Sequence, residues 1–259
     1  AEGVQPIRFF YDTAAPELVE GGDDYPQGIG SDQQQTRNDN FSLAGTVSDG
    51  YRLEHLRLTA TRNGVSQGML DEWTESGEYS YPVTAAGNDG LWVYTLTATD
   101  GAGRTTTQTR TVLIDTTAPT AAITNPGMYL SGNLATIVGT AADGAGNVSG
   151  VDKIEYSTDF TDDGDDDNDT WYDATGKTNW SVQLDLDVDG SGPDEGKAEG
   201  NYYLHVRATD AAGNVTDVET IMASRLEFSI DQANPFVTML KHYPIGHPES
   251  AEDFPELTL

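Results

Sequence analysis

The chain of 259 residues carries 43 Asp and Glu against 13 Lys and Arg, a formal charge of −30, and has no cysteine. A surface so acidic repels phosphate backbones and anionic lipid, which excludes nucleic acid and the membrane surface as partners and leaves cations. Without cysteine there is no disulfide frame, thiolate metal site or thiol nucleophile, and no run of about 18 apolar residues offers a membrane span.

Leu, Ile, Val and Phe make up only 50 of the residues, a share that, with this charge, borders on the composition of disordered chains. The 4 Trp, 12 Tyr and alternating Thr- and Val-rich runs point instead to a folded chain. The two observations agree if the fold depends on bound cations. The length allows one large or two ordinary domains. The opening Ala1-Glu2-Gly3, with neither methionine nor signal peptide, reads as a mature or excised segment.

In chain order, three markers repeat. Phe10-Tyr11-Asp12-Thr13-Ala14-Ala15-Pro16 returns as Leu113-Ile114-Asp115-Thr116-Thr117-Ala118-Pro119 and, more loosely, as Ser229-Ile230-Asp231-Gln232-Ala233-Asn234-Pro235. Phe41 to Asp49, with Gly45 at its centre, matches Ala135 to Asp143 with Gly139. Leu91 to Gly103, ending Ala98-Thr99-Asp100-Gly101-Ala102-Gly103, matches Tyr202 to Asn214, ending Ala208-Thr209-Asp210-Ala211-Ala212-Gly213-Asn214. Three markers in one order define a repeated unit of about 100 residues.

Each unit reads as short strands of period two separated by Gly, Asp and Asn turns, with no helical period. In the second unit the expected strands are A near 121–124, B near 135–140, C at 153–157, E at 180–186, F at 202–209 and G through 215–230. Such strands make an all-β fold of tandem immunoglobulin-like sandwiches, with hydrophobic packing in place of the missing disulfide. The expected boundaries are 1–11 for the end of a preceding unit, 12–114 and 115–230 for two full units, and 231–259 for the start of a truncated third, where Phe236 to Leu240 repeats strand A.

The Asp-Thr-Thr-Ala-Pro marker and the Ala-Thr-Asp-x-Ala-Gly-Asn turn resemble the bacterial Ig-like repeats of giant surface adhesins and other long secreted proteins, over about residues 12–231. The resemblance implies export to the bacterial cell surface, an arrangement of beads on a string with neighbouring repeats as partners, and calcium at the junctions. The first unit departs from the pattern with Arg104 where the second has Asn214.

Strand parity locates a site independently. If A leaves one pole, B returns to it and the alternation continues to G, then the start of A and the BC and FG loops share that pole. This gathers Asp12, Asp49 and Asp100 in the first unit, and Asp115, Asp143 and Asp210, with Asn214, in the second. Carboxylates and carbonyls from loops are the ligands Ca²⁺ takes, six to eight at roughly 2.3–2.6 Å. The competing reading is that each Asp bonds only its own turn backbone.

At the opposite pole of the second unit, residues 159–195 hold 13 acids and one Lys. Asp185, Asp187, Asp189, Gly190 and Ser191 match positions 1, 3, 5, 6 and 7 of an EF-hand loop, with Glu195 one place short of the closing acid. Asp163, Asp165, Asp167 and Asp169 alternate similarly, although Gly164 is misplaced for that turn.

No nucleophile elbow, phosphate loop or His-Glu-x-x-His is present, and solvated Asp-Gly loops lack the apolar cleft a hydrolase acid needs, so no catalytic activity is expected. His205 is expected half-buried or on the surface of strand F, and His242 and His247 flank a Tyr-Pro-Ile-Gly turn in the tail. Trp73, Trp92 and Trp180 are expected in cores, whereas Trp171 and Tyr172 lie inside the acidic CD loop, where exposed rings stack on sugar or fold down as a lid. The expected function is a calcium-stiffened, non-catalytic extracellular spacer or adhesin module. The alternatives are a glycan- or protein-binding module and accessory domains of a secreted hydrolase.

Overall fold

The computed structural model describes residues 11–21, 35–125, 129–130, 134–158, 170–186, 200–218 and 222–231. The expected preceding unit, the truncated third unit with its two histidines, and the acidic segments 159–169 and 187–199 lie outside the described residues, apart from Tyr11 and Asp231.

The first unit contains β1 (Glu17–Glu20), β2 (Gln35–Arg37), β3 (Phe41–Ser48), β4 (Leu53–Arg62), β5 (Val65–Trp73), β6 (Gly77–Val83), β7 (Gly90–Asp100) and β8 (Thr105–Ile114). They form two sheets, ordered β1-β3-β6 and β2-β8-β7-β4-β5. The second unit contains β9 (Thr120–Ile123), β10 (Tyr129–Leu130), β11 (Leu134–Ala142), β12 (Val151–Ser157), β13 (Tyr172–Asp173), β14 (Thr175–Gly176), β15 (Asn179–Asp185), β16 (Gly200–Asp210) and β17 (Arg225–Ile230). Its sheets are ordered β14-β15-β11-β9 and β10-β17-β16-β12-β13. The fold is all-β, two sandwiches that share most of their strand order, the second adding the short β14 beside β15. Among the described residues no helix is long and apolar enough to cross a membrane.

Period-two alternation drives each central strand. On β7, Trp92, Tyr94, Leu96 and Ala98 point inward while the residues between them are half-exposed, and on β16 the inward set is Leu204, Val206 and Ala208. These are the two copies of the third sequence marker. The cores are separate: one runs from Leu18 to Ile114 and the other from Ala121 to Ile230. The chain between them is the short stretch that begins at Asp115.

The second marker is a packing device. Gly45 lies directly opposite Tyr79 and Gly139 opposite Trp180 in their antiparallel ladders. A Cβ on Gly45 would stand 2.7 Å from the Tyr79 hydroxyl and overlap the Val19 carbonyl, and one on Gly139 would overlap the Trp180 ring and the Ala122 carbonyl. Only glycine lets the aromatic cross the strand at that point.

Two details differ from the sequence reading. Strand A is split in both units: its first half joins the strand-B sheet, and its second half, β2 or β10, crosses to pair parallel with β8 or β17. One segment thereby covers an edge of each sheet. The expected G strand over 215–230 is interrupted. Val215 makes a single bridge to Thr209, Met222–Ser224 form a 3-10 turn, and only Arg225–Ile230 is strand. The Thr216 hydroxyl, buried here, accepts the Ala208 N–H at 2.9 Å and donates to the Pro119 carbonyl at 3.0 Å, holding the chain to the start of strand A. The first unit keeps the same tether, Thr106 to the Pro16 carbonyl at 2.6 Å, within an unbroken β8.

Candidate metal centres

In both units the third-marker Asp is the last residue of its strand and organises the turn that follows. Asp210 Oδ1 accepts the N–H groups of Ala212 (2.9 Å) and Asn214 (2.8 Å), and the Asp210 N–H bonds the Asn214 carbonyl. Asp100 Oδ1 accepts Ala102 N–H (2.8 Å) and Arg104 N–H (2.7 Å), with the same backbone closure to Arg104. Gly213 and Gly103 supply the positive φ, 93° and 85°, that the turn requires. Each FG turn is also bonded to the foot of the BC loop, Ala211 N–H to Gly150 and Gly101 N–H to Arg52.

The structure brings Asp115, Asp143 and Asp210 together, and likewise Asp12, Asp49 and Asp100: in each group one carboxylate oxygen per residue lies within 4.8 Å of the others. In the second group all three are nearly sealed from solvent, at 1%, 9% and 2% exposure. Asp115 Oδ2 accepts Ser149 N–H and Oδ1 accepts Thr117 N–H. Asp143 Oδ2 accepts Gly150 N–H at 2.6 Å, which leaves Oδ1 buried with no hydrogen-bond partner. Asn214 Nδ2 donates to Asp210 Oδ2 (2.7 Å) and to the Asp115 carbonyl (2.9 Å), so one amide cross-links two oxygens of the cluster.

The first group is more open. Asp12 Oδ1 accepts Ala14 N–H, and Asp49 Oδ1 accepts Tyr51 and Arg52 N–H. Asp49 Oδ2 and Asp100 Oδ2 are buried without a hydrogen-bond partner. Every Asp of the two clusters therefore does bond turn backbone, and three of them, Asp49, Asp100 and Asp143, also have a buried carboxylate oxygen with no hydrogen-bond partner.

Two unit charges 4.8 Å apart at an effective dielectric near 20 repel by about 3 kcal/mol. Burial, followed by the neighbouring Asp115 and Asp210 carboxylates, pushes Asp143 above the ordinary carboxylate range, against the Gly150 N–H bond and the nearby Ser149 hydroxyl, which lower it. Buried, convergent and anionic oxygen is the donor set of a hard divalent cation, with no nitrogen or sulfur ligand to favour a transition metal.

The second cluster sits at the junction of the two units. The Asp115 N–H is bonded to the Arg37 carbonyl of the first unit (2.9 Å), while its carboxylate faces the second. Around it, Asp89 Oδ1 accepts Thr116 N–H and hydroxyl, Asn63 Oδ1 accepts Asn147 Nδ2–H (2.7 Å), and Asn38 Nδ2 donates to Asn214 Oδ1 (3.3 Å). Sequence reasoning missed Asp89, Asn63, Asn38 and Asn147. Asn63-Gly64 carries a hairpin-turn signal, but nothing in the sequence pairs it with a loop 84 residues away.

Of the expected ligands in the EF-like loop only Asp185, at the end of β15, is described, and Asp187, Asp189, Ser191 and Glu195 lie outside the described residues, as do Asp163, Asp165, Asp167 and Asp169. Trp171 and Tyr172 are half-buried. The Arg207 guanidinium stands 4.1 Å over the Trp171 ring, and Tyr172 packs against Tyr156 at the edge of the second core. His205 is 4% exposed rather than half-buried, because β16 is a central strand whose outer face is flanked by Ser157, Arg225 and the Tyr203 ring.

Among solved structures, the chain is similar to the fibronectin(III)-like modules of Clostridium thermocellum CbhA, at 14% identity over 87% of this chain and 100% of that one, TM-score 0.39. An I-band fragment of titin is similar at 14% identity, over 85% and 66%, TM-score 0.44. A Ca²⁺-stabilized adhesin with which an Antarctic bacterium binds ice is similar at 18% identity, over 86% and 50%, TM-score 0.32. Comparison with curated proteins gives no match. Residues 118–224, the greater part of the second sandwich, match the family model of the bacterial Ig-like domain.

Proposed function

We propose that the two poles are calcium sites, and that the chain is a non-catalytic, calcium-stiffened spacer from a long surface or secreted bacterial protein. The observation that carries this is the geometry of Asp143. Its carboxylate is buried beside two others, with one oxygen lacking a hydrogen-bond partner, at the point where the linker meets two loops. A cluster so arranged costs stability unless a cation completes it.

Asp115, Asp143 and Asp210 would hold the ion between the units, and Asp12, Asp49 and Asp100 the ion at the first pole. Bound Ca²⁺ supplies two positive charges and asks for six to eight oxygens, which the carboxylates, turn carbonyls and water provide. The chain's own contribution is positional. Asp115 is fixed to the first unit through its N–H and reaches the second through its carboxylate, so ordering that side chain sets the angle between the sandwiches. The match to the bacterial Ig-like domain supports an extracellular setting with similar units as neighbours. The Arg207 guanidinium already occupies one face of the Trp171 ring, so the glycan-binding alternative would have to use the other face or Tyr172.

The test is thermal unfolding with excess EDTA and with millimolar CaCl₂. The reading expects chelation to lower the melting temperature by many degrees, and superimposable curves refute it.

A further inference from the structure

The two poles share a turn but not a charge. Asp100 and Asp210 cap the same two positions and close the same backbone bond, yet the residue four places on is Arg104 in one and Asn214 in the other. Asn214 places a neutral amide 2.7 Å from Asp210 Oδ2. Arg104 places a guanidinium nitrogen 3.9 Å from Asp100 Oδ2, the oxygen that has no hydrogen-bond partner and belongs to a fully buried side chain. Arg52, the other cation near this turn, is paired outward with Glu54. Among the described residues no Lys or Arg comes within ion-pair distance of Asp115, Asp143 or Asp210.

We propose that Arg104 is a resident counter-charge that makes the first pole the weaker of two unequal calcium sites, so that the junction pole fills first. The inference rests on reading both poles as calcium sites. Three carboxylates facing a neutral amide present three negative charges to an incoming ion. The same three beside a guanidinium present two, and an arriving divalent cation must displace or repel that guanidinium. Arg104 is partly exposed, with 36% of its side chain accessible, so it can swing aside and the site is weakened rather than abolished. The same charge relieves the carboxylates when calcium is absent. The first pole therefore keeps its order on chelation, and the calcium-dependent stiffness is concentrated between the units.

Isothermal titration of the stripped protein with CaCl₂ tests this, with the sites assigned by Asp143→Asn and Asp100→Asn. The wild type is expected to show the class lost in Asp143→Asn binding at least tenfold more tightly than the class lost in Asp100→Asn. Arg104→Asn should tighten the weaker class at least tenfold, and Asn214→Arg should weaken the tighter class by a similar factor. In EDTA, Arg104→Asn should lower the melting temperature of the first unit and saturating CaCl₂ should restore it, whereas a misfolded pole stays destabilised in both buffers. Equal affinities at the two poles, or an Arg104→Asn protein with unchanged calcium affinities, overturns the proposal while the calcium reading stands. No calcium uptake by any of the proteins overturns both.

Discussion

Replacing Asp143 by Asn separates a metal-binding carboxylate from a structural turn cap, because the two roles predict opposite signs. An Asn at this position keeps the turn: its amide oxygen accepts the Gly150 N–H in place of Oδ2. Its NH₂ then takes the position of the unpartnered Oδ1 and faces the Asp115 and Asp210 carboxylates. Two repulsions of about 3 kcal/mol each at an effective dielectric near 20 disappear, and charge-assisted hydrogen bonds of about 1.5–3 kcal/mol replace them. Screening by water and salt removes much of that gain. If about 2 kcal/mol survives, a domain of about 100 residues melts roughly 10 °C higher in EDTA. In saturating calcium the same substitution removes one anionic ligand, so the rise in melting temperature on adding CaCl₂ should fall to less than half that of the wild type. Scanning calorimetry of both proteins in both buffers reads all four values. A variant less stable than wild type by the same amount with and without calcium refutes the reasoning and makes Asp143 a turn cap alone.

Gly139→Ala should cost more than about 3 kcal/mol, since its Cβ overlaps the Trp180 ring and the Ala122 carbonyl; calorimetry should show the second unit's transition lost or strongly lowered and the first unit's retained. The calcium-free protein should gain stability as the pH falls through the folded value of the Asp143 carboxyl. The Asp143 carboxyl is raised, so its contribution is present at low pH and lost as the pH rises through its folded value. At lower pH the gain should reverse. Burial alone would raise Glu155, but Lys153 and Arg207 bond it and leave it lowered, so its contribution is lost as the pH falls through its folded value. Melting curves in EDTA as the pH falls through both values check both signs, and Asp143→Asn should erase the rise. Asn147→Ala removes the direct bond to Asn63, worth about 1 kcal/mol; it should broaden the distance distribution between spin labels on the two units while leaving both unfolding transitions in place.

The gathering of the two Asp triads was legible in the sequence because it follows from strand parity, which depends only on the number and order of strands. The alternating runs at 91–100 and 202–210 marked β7 and β16 because their inward residues are large and apolar, and the Gly at 45 and 139 recurs because the opposing aromatic leaves no space for a side chain. The split of strand A left no trace, since residues such as Gln35-Thr36-Arg37 have no pattern of their own and take strand form by pairing with β8, which is distant in sequence. The break in strand G was hidden because Thr216 suits a strand by propensity and is turned inward by a tertiary bond to Pro119. The Asn63–Asn147 contact depends on how two separately folded units meet, which no local period encodes.

The measurement closest to the central claim is small-angle X-ray scattering of the stripped protein as CaCl₂ is added. The account predicts a narrower distance distribution and a larger maximum dimension, reached at the stoichiometry of the junction site and absent in Asp143→Asn. Scattering curves that superimpose with and without calcium, under conditions where binding has been verified by titration, contradict it.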